Sequence, residues 1–268
     1  MKSLKWYGWK PDVPDHRDRT YTQLFRLKRE LPSAVDLRDT GFLKPIYNQL
    51  ALGSCTGNAI SKAIRFDMLR QADPDAVVPS RLFIYYNERV LEDTVPQDCG
   101  AQIRDGIKSI SNFGVCDESM WPYDIDKFAV RPPDECYSSA LDHQALAYHR
   151  LSHSILEMKD CLSNGLPFIF GFSVFESFES QLVSDTGVLP YPALSEYALG
   201  GHAVLAVGYI DGPVTKMING NQVVLRNVVI AQNSWDEDWG DGGYFYIPYS
   251  YISNPDLADD RWVLTLME

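Results

Sequence analysis

The sequence predicts an α+β protein in which a helical lobe and a strand-rich lobe meet at a cleft. Three observations carry that expectation. Apolar residues recur at helical spacing through most of the first half, and short β-branched runs broken by Gly- and Asn-containing turns take over beyond Pro167. The third is bulk. A chain of 268 residues, 45% hydrophobic with 15 Tyr and 6 Trp, holds enough apolar material for one large domain or two tightly joined lobes, and too much for a disordered protein.

Residues 1–30 stand apart as a Trp-, Pro- and Arg-rich arm. They carry Trp6, Tyr7, Trp9, Tyr21 and Phe25, more ring surface than a solvated tail leaves in water, so the arm is expected to dock. It is read either as a structural strap or as a regulatory latch across the cleft, with Trp6, Tyr7 and Trp9 as its regulatory contacts. Residues 31–268 form the main domain, its helical lobe mainly in 55–150 and its strand lobe mainly in 150–250 with the segment near 31–50. The first long helix opens at Cys55, directly after Gly53-Ser54, and sets Ala59, Ile60, Ala63, Ile64, Met68 and Leu69 at helical spacing. A second covers 82–90, and a third places Ile103, Ile107 and Ile110 on one face before stopping at Gly114. Ser154-Ile155-Leu156-Glu157 reads as a capping box for a fourth, ended by Gly165-Leu166-Pro167. Strands are expected at 168–174, 202–209, 222–232 and 244–247, and Asn219-Gly220 marks a hairpin because both residues tolerate positive φ.

Charge and cysteine usage narrow the function classes. The net charge of −12 excludes a generic phosphate-backbone binder, which neutralises phosphates with Lys and Arg, so no nucleic-acid partner is expected. That charge is uneven: residues 1–30 carry +4 and the remainder −16. No apolar stretch approaches the roughly 18 residues of a membrane helix, so no membrane partner is expected. The first residues are broken by Lys10, Pro11 and Asp12 before a signal-peptide apolar region forms, which points to the cytosol. Five cysteines (Cys55, Cys99, Cys116, Cys136, Cys161) form no C-x-x-C pair, so neither a metal site nor another cofactor is expected, and free thiols are favoured.

One thiol is placed for chemistry. Cys55 follows the loop from Gln49 to Ser54 and opens a helix, where the macrodipole favours a thiolate. Gln49 can aim its amide at the space before that sulfur and, with the Cys55 backbone N–H, stabilise an oxyanion. A base stands in Gly200-Gly201-His202-Ala203, and Asn233 in Gln232-Asn233-Ser234-Trp235 can accept the imidazole N–H, with an indole shielding that bond. Each residue alone has a bland alternative: a buried cysteine is usually a small hydrophobe, and a histidine at a strand end is usually structural.

Together, Gln49 with Gly53-Ser54-Cys55, then His202-Ala203-Val204, then Asn233-Ser234-Trp235 with Trp239-Gly240 resemble the papain-like cysteine peptidases. Leu31-Pro32 with Asp36-Leu37-Arg38 resembles that family's mature N-terminus, and Asn112-Phe113-Gly114 with Trp121-Pro122-Tyr123 its exit from the helical lobe. The resemblance implies a two-lobed papain-like fold, a helical lobe beside an antiparallel β-barrel-like lobe with the active-site cleft between them. It implies a thiol-dependent peptide hydrolase in which Cys55 is the nucleophile, His202 the acid and base, Asn233 the histidine's orienter and Gln49 the oxyanion donor, acting on peptide or protein substrates. Gly100 and Ala101 are the nearest match to the family's glycine pair for substrate backbone, and Ala203 and Trp235 complete the expected substrate contacts. Thr56, where the family carries an aromatic residue, is expected to leave a smaller, more polar wall. Leu52 replaces a cysteine of the secreted members' disulfide. His202 follows Cys55 by 147 residues and Asn233 by 178, an excess assigned to the Asn219-Gly220 hairpin. Two other readings stay open: a papain-fold binding protein without turnover, and a Cys-His acyl transferase in which an amine replaces water. Oligomeric state is not legible.

Overall fold

A computed structural model describes residues 7–144 and 146–266. The arm contributes β1 (Trp9–Lys10) and α1 (Tyr21–Leu24), and the domain begins with β2 (Ala34–Asp36). The helical lobe follows as α2 (Cys55–Arg70), α3 (Arg81–Leu91), the two-residue β3 (Ala101–Gln102), α4 (Ile103–Phe113) and α5 (Asp134–Ala140). The strand lobe contains β4 (Leu146–Arg150), α6 (Ile155–Ser163), β5 (Phe168–Phe175), α7 (Gln181–Thr186) and β6 (Ala198–Ile210). It continues through β7 (Val214–Ile218), β8 (Asn221–Leu225), β9 (Val228–Gln232), β10 (Tyr244–Pro248), α8 (Tyr249–Ile252) and β11 (Ala258–Leu266).

The α+β class and the helices expected at Cys55, 82–90 and 103–110 are present, the last ended by Gly114 at φ 73°. At α6 the Ser154 hydroxyl accepts the Glu157 N–H, whereas the Glu157 carboxylate turns back to Ser152 rather than closing the box. The hairpin forms as β7 and β8 around Asn219 and Gly220, both at positive φ. The run expected as one strand over 222–232 is instead β8 and β9, broken where Asn227 adopts φ 52°.

The main sheet runs β10-β9-β6-β5-β11-β4, with β2 also paired to β6, and its strand pairs are antiparallel. It is an open sheet rather than the barrel-like closure expected. Its two edge strands are covered separately: β10 meets Val188, and β4 meets Thr20 of the arm, so their exposed hydrogen-bonding groups find partners without joining each other. Among the described residues no helix is long and apolar enough to cross a membrane.

The fold positions the site through α2. Residues 55–64 of this helix are buried on every side, and it packs across β6 and β5, so its first turn is locked between the lobes. Phe168, Phe170 and Phe172 on β5, with Phe178 and Phe245, form an aromatic layer beside the His202 end of β6.

Candidate active site

The loop that delivers Cys55 is tied down from both lobes. Gly53 N–H is held by the Asp98 carboxylate at 3.0 Å, and the Tyr85 hydroxyl donates to that carboxylate at 2.5 Å. Tyr123 donates its hydroxyl to the Gln49 carbonyl at 2.8 Å and lies 2.5 Å from the Ser54 hydroxyl. From the strand lobe, Ser234 accepts the Gln49 backbone N–H at 2.9 Å and donates its hydroxyl to Gln49 Oε1 at 2.6 Å. That last bond assigns the amide: Oε1 accepts, so Nε2 is the donor, and it reaches the Leu52 carbonyl at 2.9 Å on the side of the Cys55 turn.

His202 comes from β6, paired with Phe172 of β5, and is fully buried. Its Nε2 lies 2.9 Å from Asn233 Oδ1, which also accepts the Ser234 N–H at 2.8 Å. An oxygen that accepts twice requires Nε2 to carry the proton, leaving Nδ1 as the proton-exchanging nitrogen. Trp235 stacks on the imidazole with centroids 5.1 Å apart, and Trp239 meets Trp235 edge-on at 5.2 Å. Ala203, next along β6, donates its N–H to Cys55 Sγ at 3.4 Å. Thus Cys55, His202, Asn233, Gln49, Ala203 and Trp235 converge on one place.

Thr56 departs from expectation. It does not line the cleft; its hydroxyl donates into the helical lobe to Glu88, a fully buried carboxyl that burial pushes well above the ordinary range. A buried carboxyl requires a polar partner, and Thr56 supplies it.

The arm lies over the thiol. The Gly8 N–H sits near Cys55 and favours its charged form, and the Gly8 carbonyl accepts the Ala101 N–H at 2.7 Å, beside Gly100. Only glycine fits here, since a Cβ on Gly8 would overlap the Gly53 carbonyl. Tyr7 sets its ring 6.0 Å from His202 and 6.1 Å from Trp235 and donates its hydroxyl to Glu179 at 2.5 Å. Trp9 pairs with Ala101 in a parallel register. Trp6 lies outside the described residues. Past the cleft the arm is clasped by an exchange: Trp9 Nε1 donates to Asp260 at 3.0 Å, and Trp262 Nε1 donates to Asp12 at 2.8 Å. Lys10 reaches Glu92 at 2.9 Å and Cys99 at 3.2 Å, and Arg104 and Arg150 hold Asp18.

This cover changes the thiol. Burial pushes Cys55 up to about 12, opposed by the Ala203 and Gly8 N–H groups. The expectation of a thiolate near neutral pH is therefore not met by the sulfur under the arm, which burial keeps protonated. Ser234, Asp98, Gly8 and Asp260 were not singled out from the sequence, and Tyr123 entered only as part of Trp121-Pro122-Tyr123. Ser234 sat inside the Asn-Ser-Trp motif and Gly8 between two aromatic residues, signals that gain meaning only once the partners are adjacent.

The family model for papain family cysteine proteases matches residues 31–260. An uncharacterized peptidase C1-like protein of Acanthamoeba polyphaga mimivirus is 39% identical over 96% of this chain and 86% of its own length. Xylellain, a cysteine protease from Xylella fastidiosa, superimposes with a TM-score of 0.82 at 37% identity, covering 98% of this chain and 96% of that one. Procathepsin B S9 from Trypanosoma congolense shares the fold, with a TM-score of 0.71 at 18% identity over 97% of this chain and 86% of its own.

Proposed function

The chain belongs to the papain family of cysteine proteases, and from that premise we propose that Cys55, His202, Asn233 and Gln49 carry its peptide-bond cleavage while the arm holds the site closed. The observation that supports the reading most is the polarised imidazole, its Nε2–H on Asn233 2.9 Å away while the adjacent Ala203 N–H touches Sγ.

With the arm displaced, water lowers the desolvation penalty on the sulfur, and the helix N-terminus with a protonated His202 favours the thiolate. The thiolate attacks the peptide carbonyl. The oxyanion forms against the Cys55 N–H and the Gln49 Nε2–H, whose direction Ser234 sets through Oε1. His202 gives its Nδ1 proton to the leaving amine, and the acyl-enzyme remains. Water then attacks with His202 as base, restoring the thiol. Asn233 and Trp235 keep the ring in plane throughout.

The test is labelling of the full-length protein by an epoxide-type thiol inhibitor alongside hydrolysis of small peptides. One equivalent at Cys55 is expected, with hydrolysis lost in Cys55→Ala. Hydrolysis surviving that substitution would overturn the assignment.

A further inference from the structure

Trp9 occupies a seat that the closed state explains only in part. Its indole is 8% exposed and lies flat on Gly171 of β5 and Gly201 of β6, where a Cβ on either glycine would run into the ring. The floor is a single carboxylate. Asp260 is 1% exposed; its Oδ2 accepts Trp9 Nε1 at 3.0 Å and the Asp12 N–H at 2.7 Å, while Oδ1 faces Arg150 at 2.9 Å. Both Oδ2 donors belong to the arm. When the arm leaves, a buried acceptor loses both at once beneath an open slot shaped for a flat ring, one residue along from the chain position at Cys55 Sγ.

We propose, resting on the peptidase reading above, that this slot is a substrate side-chain pocket and that Asp260 makes it select tryptophan, a flat ring with an N–H donor at its far end. The arm occupies it as a substrate would, with its own tryptophan.

The local charge argues for a neutral donor over a cation. Arg104 and Arg150 are partnered by Asp12 and Asp18 of the arm, and Asp260 has its second oxygen on Arg150. With the arm gone, Arg104 and Arg150 lose Asp12 and Asp18, while Arg150 keeps Asp259 and Asp260 and Arg261 keeps Asp259. A lysine or arginine side chain would enter a neighbourhood already rich in guanidinium, whereas an indole N–H repairs Oδ2 without adding charge.

The experiment uses the full-length chain carrying Trp9→Ala, which vacates the slot. Peptides bear Trp, 1-methyltryptophan, Phe or Arg at each of the two positions on either side of the scissile bond. At one position, kcat/KM for Trp is expected to exceed those for 1-methyltryptophan, Phe and Arg by about tenfold or more, the range of leaving a buried acceptor unpaired. Adding Asp260→Ala should bring the Trp to 1-methyltryptophan ratio close to one, and Asp260→Asn, which keeps an acceptor and suits the local φ of 53°, should retain part of it. Because both substrates meet the same arm, the ratio is insensitive to how far each variant loosens the arm. A ratio near one before Asp260 is changed, a ratio unmoved by Asp260→Ala, or a preference for Arg would each overturn the proposal. The same ratio is read as peptide Kd on Trp9→Ala carrying Cys55→Ala, so loss of all hydrolysis would sink the catalytic reading while the pocket is still judged by binding.

Discussion

Gly8 is where a single methyl group is expected to separate a closed cleft from an open one. Alanine there would strike the Gly53 carbonyl, in a loop held by Asp98 and Tyr123, so the arm rather than the loop must yield. Gly8→Ala is expected to raise kcat/KM on small peptides by about tenfold or more, with a cooperative melt retained; unchanged activity at full folding would show that the arm does not limit access. On the proposed mechanism Gln49→Ala removes the oxyanion donor, so kcat should fall roughly 10²–10³-fold with KM little changed. A rise in KM alone would make Gln49 a binding residue. That Cys55, His202, Asn233 and Gln49 would gather at one candidate site was legible in the sequence because each stands in a short local motif. Asp260 was not, since an aspartate in an acidic pair near the end of the chain looks like a solvated face until Trp9 and Trp262 are seen around it.

At the scale of elements, the clasp between the arm and β11 is titratable. Burial and then the neighbouring Asp260 push the Asp12 carboxyl up to about 7, opposed by the Arg104 N–H, the Trp262 indole and the Arg104 guanidinium; Arg150 and Asp18 complete the charges around the pair. A free aspartate titrates near 4. The docked arm therefore holds this proton more tightly than the released arm does. Its contribution to docking is complete below about pH 4 and is lost as pH rises through about 7. Alkylation of Cys55 should then accelerate with pH between 5 and 8 more steeply in the natural chain than in Asp12→Asn, where Cys55 titrates alike and the clasp keeps only Asp260 as a raised carboxyl; parallel profiles would remove Asp12 from the control of docking. Long periodic elements such as α2, α3 and α4 were legible in the sequence, as was the Asn-Gly hairpin. β1 and β3 were not, because two residues carry no period. β11 was hidden by Asp259-Asp260-Arg261 in its interior, where the pairing with β5 shifts register and Asp260 takes a positive φ. The break at Asn227 likewise depends on a backbone angle that composition does not reveal.

Taken as a whole molecule, the arm and the domain are one chain, joined through a segment in which Arg26, Lys28, Arg29, Glu30, Pro32 and Ser33 are exposed. Upstream of it, Tyr21 is buried, stacked on Phe25 at 4.6 Å and bonded to Asp160, so the arm is fastened on both sides of the cleft. A tethered segment faces its seat at an effective concentration on the order of millimolar, whatever the concentration of the protein. A seat of only about 10 μM intrinsic affinity would then stay about 99% filled in the intact chain at any dilution. Cutting after Arg26, Lys28 or Arg29 turns that closure into an ordinary two-body equilibrium. The clipped protein should gain activity as it is diluted from micromolar to nanomolar while the intact chain does not, measured as specific activity on a small peptide across that range; a dilution-independent clipped form would mean that the arm stays bound without its tether.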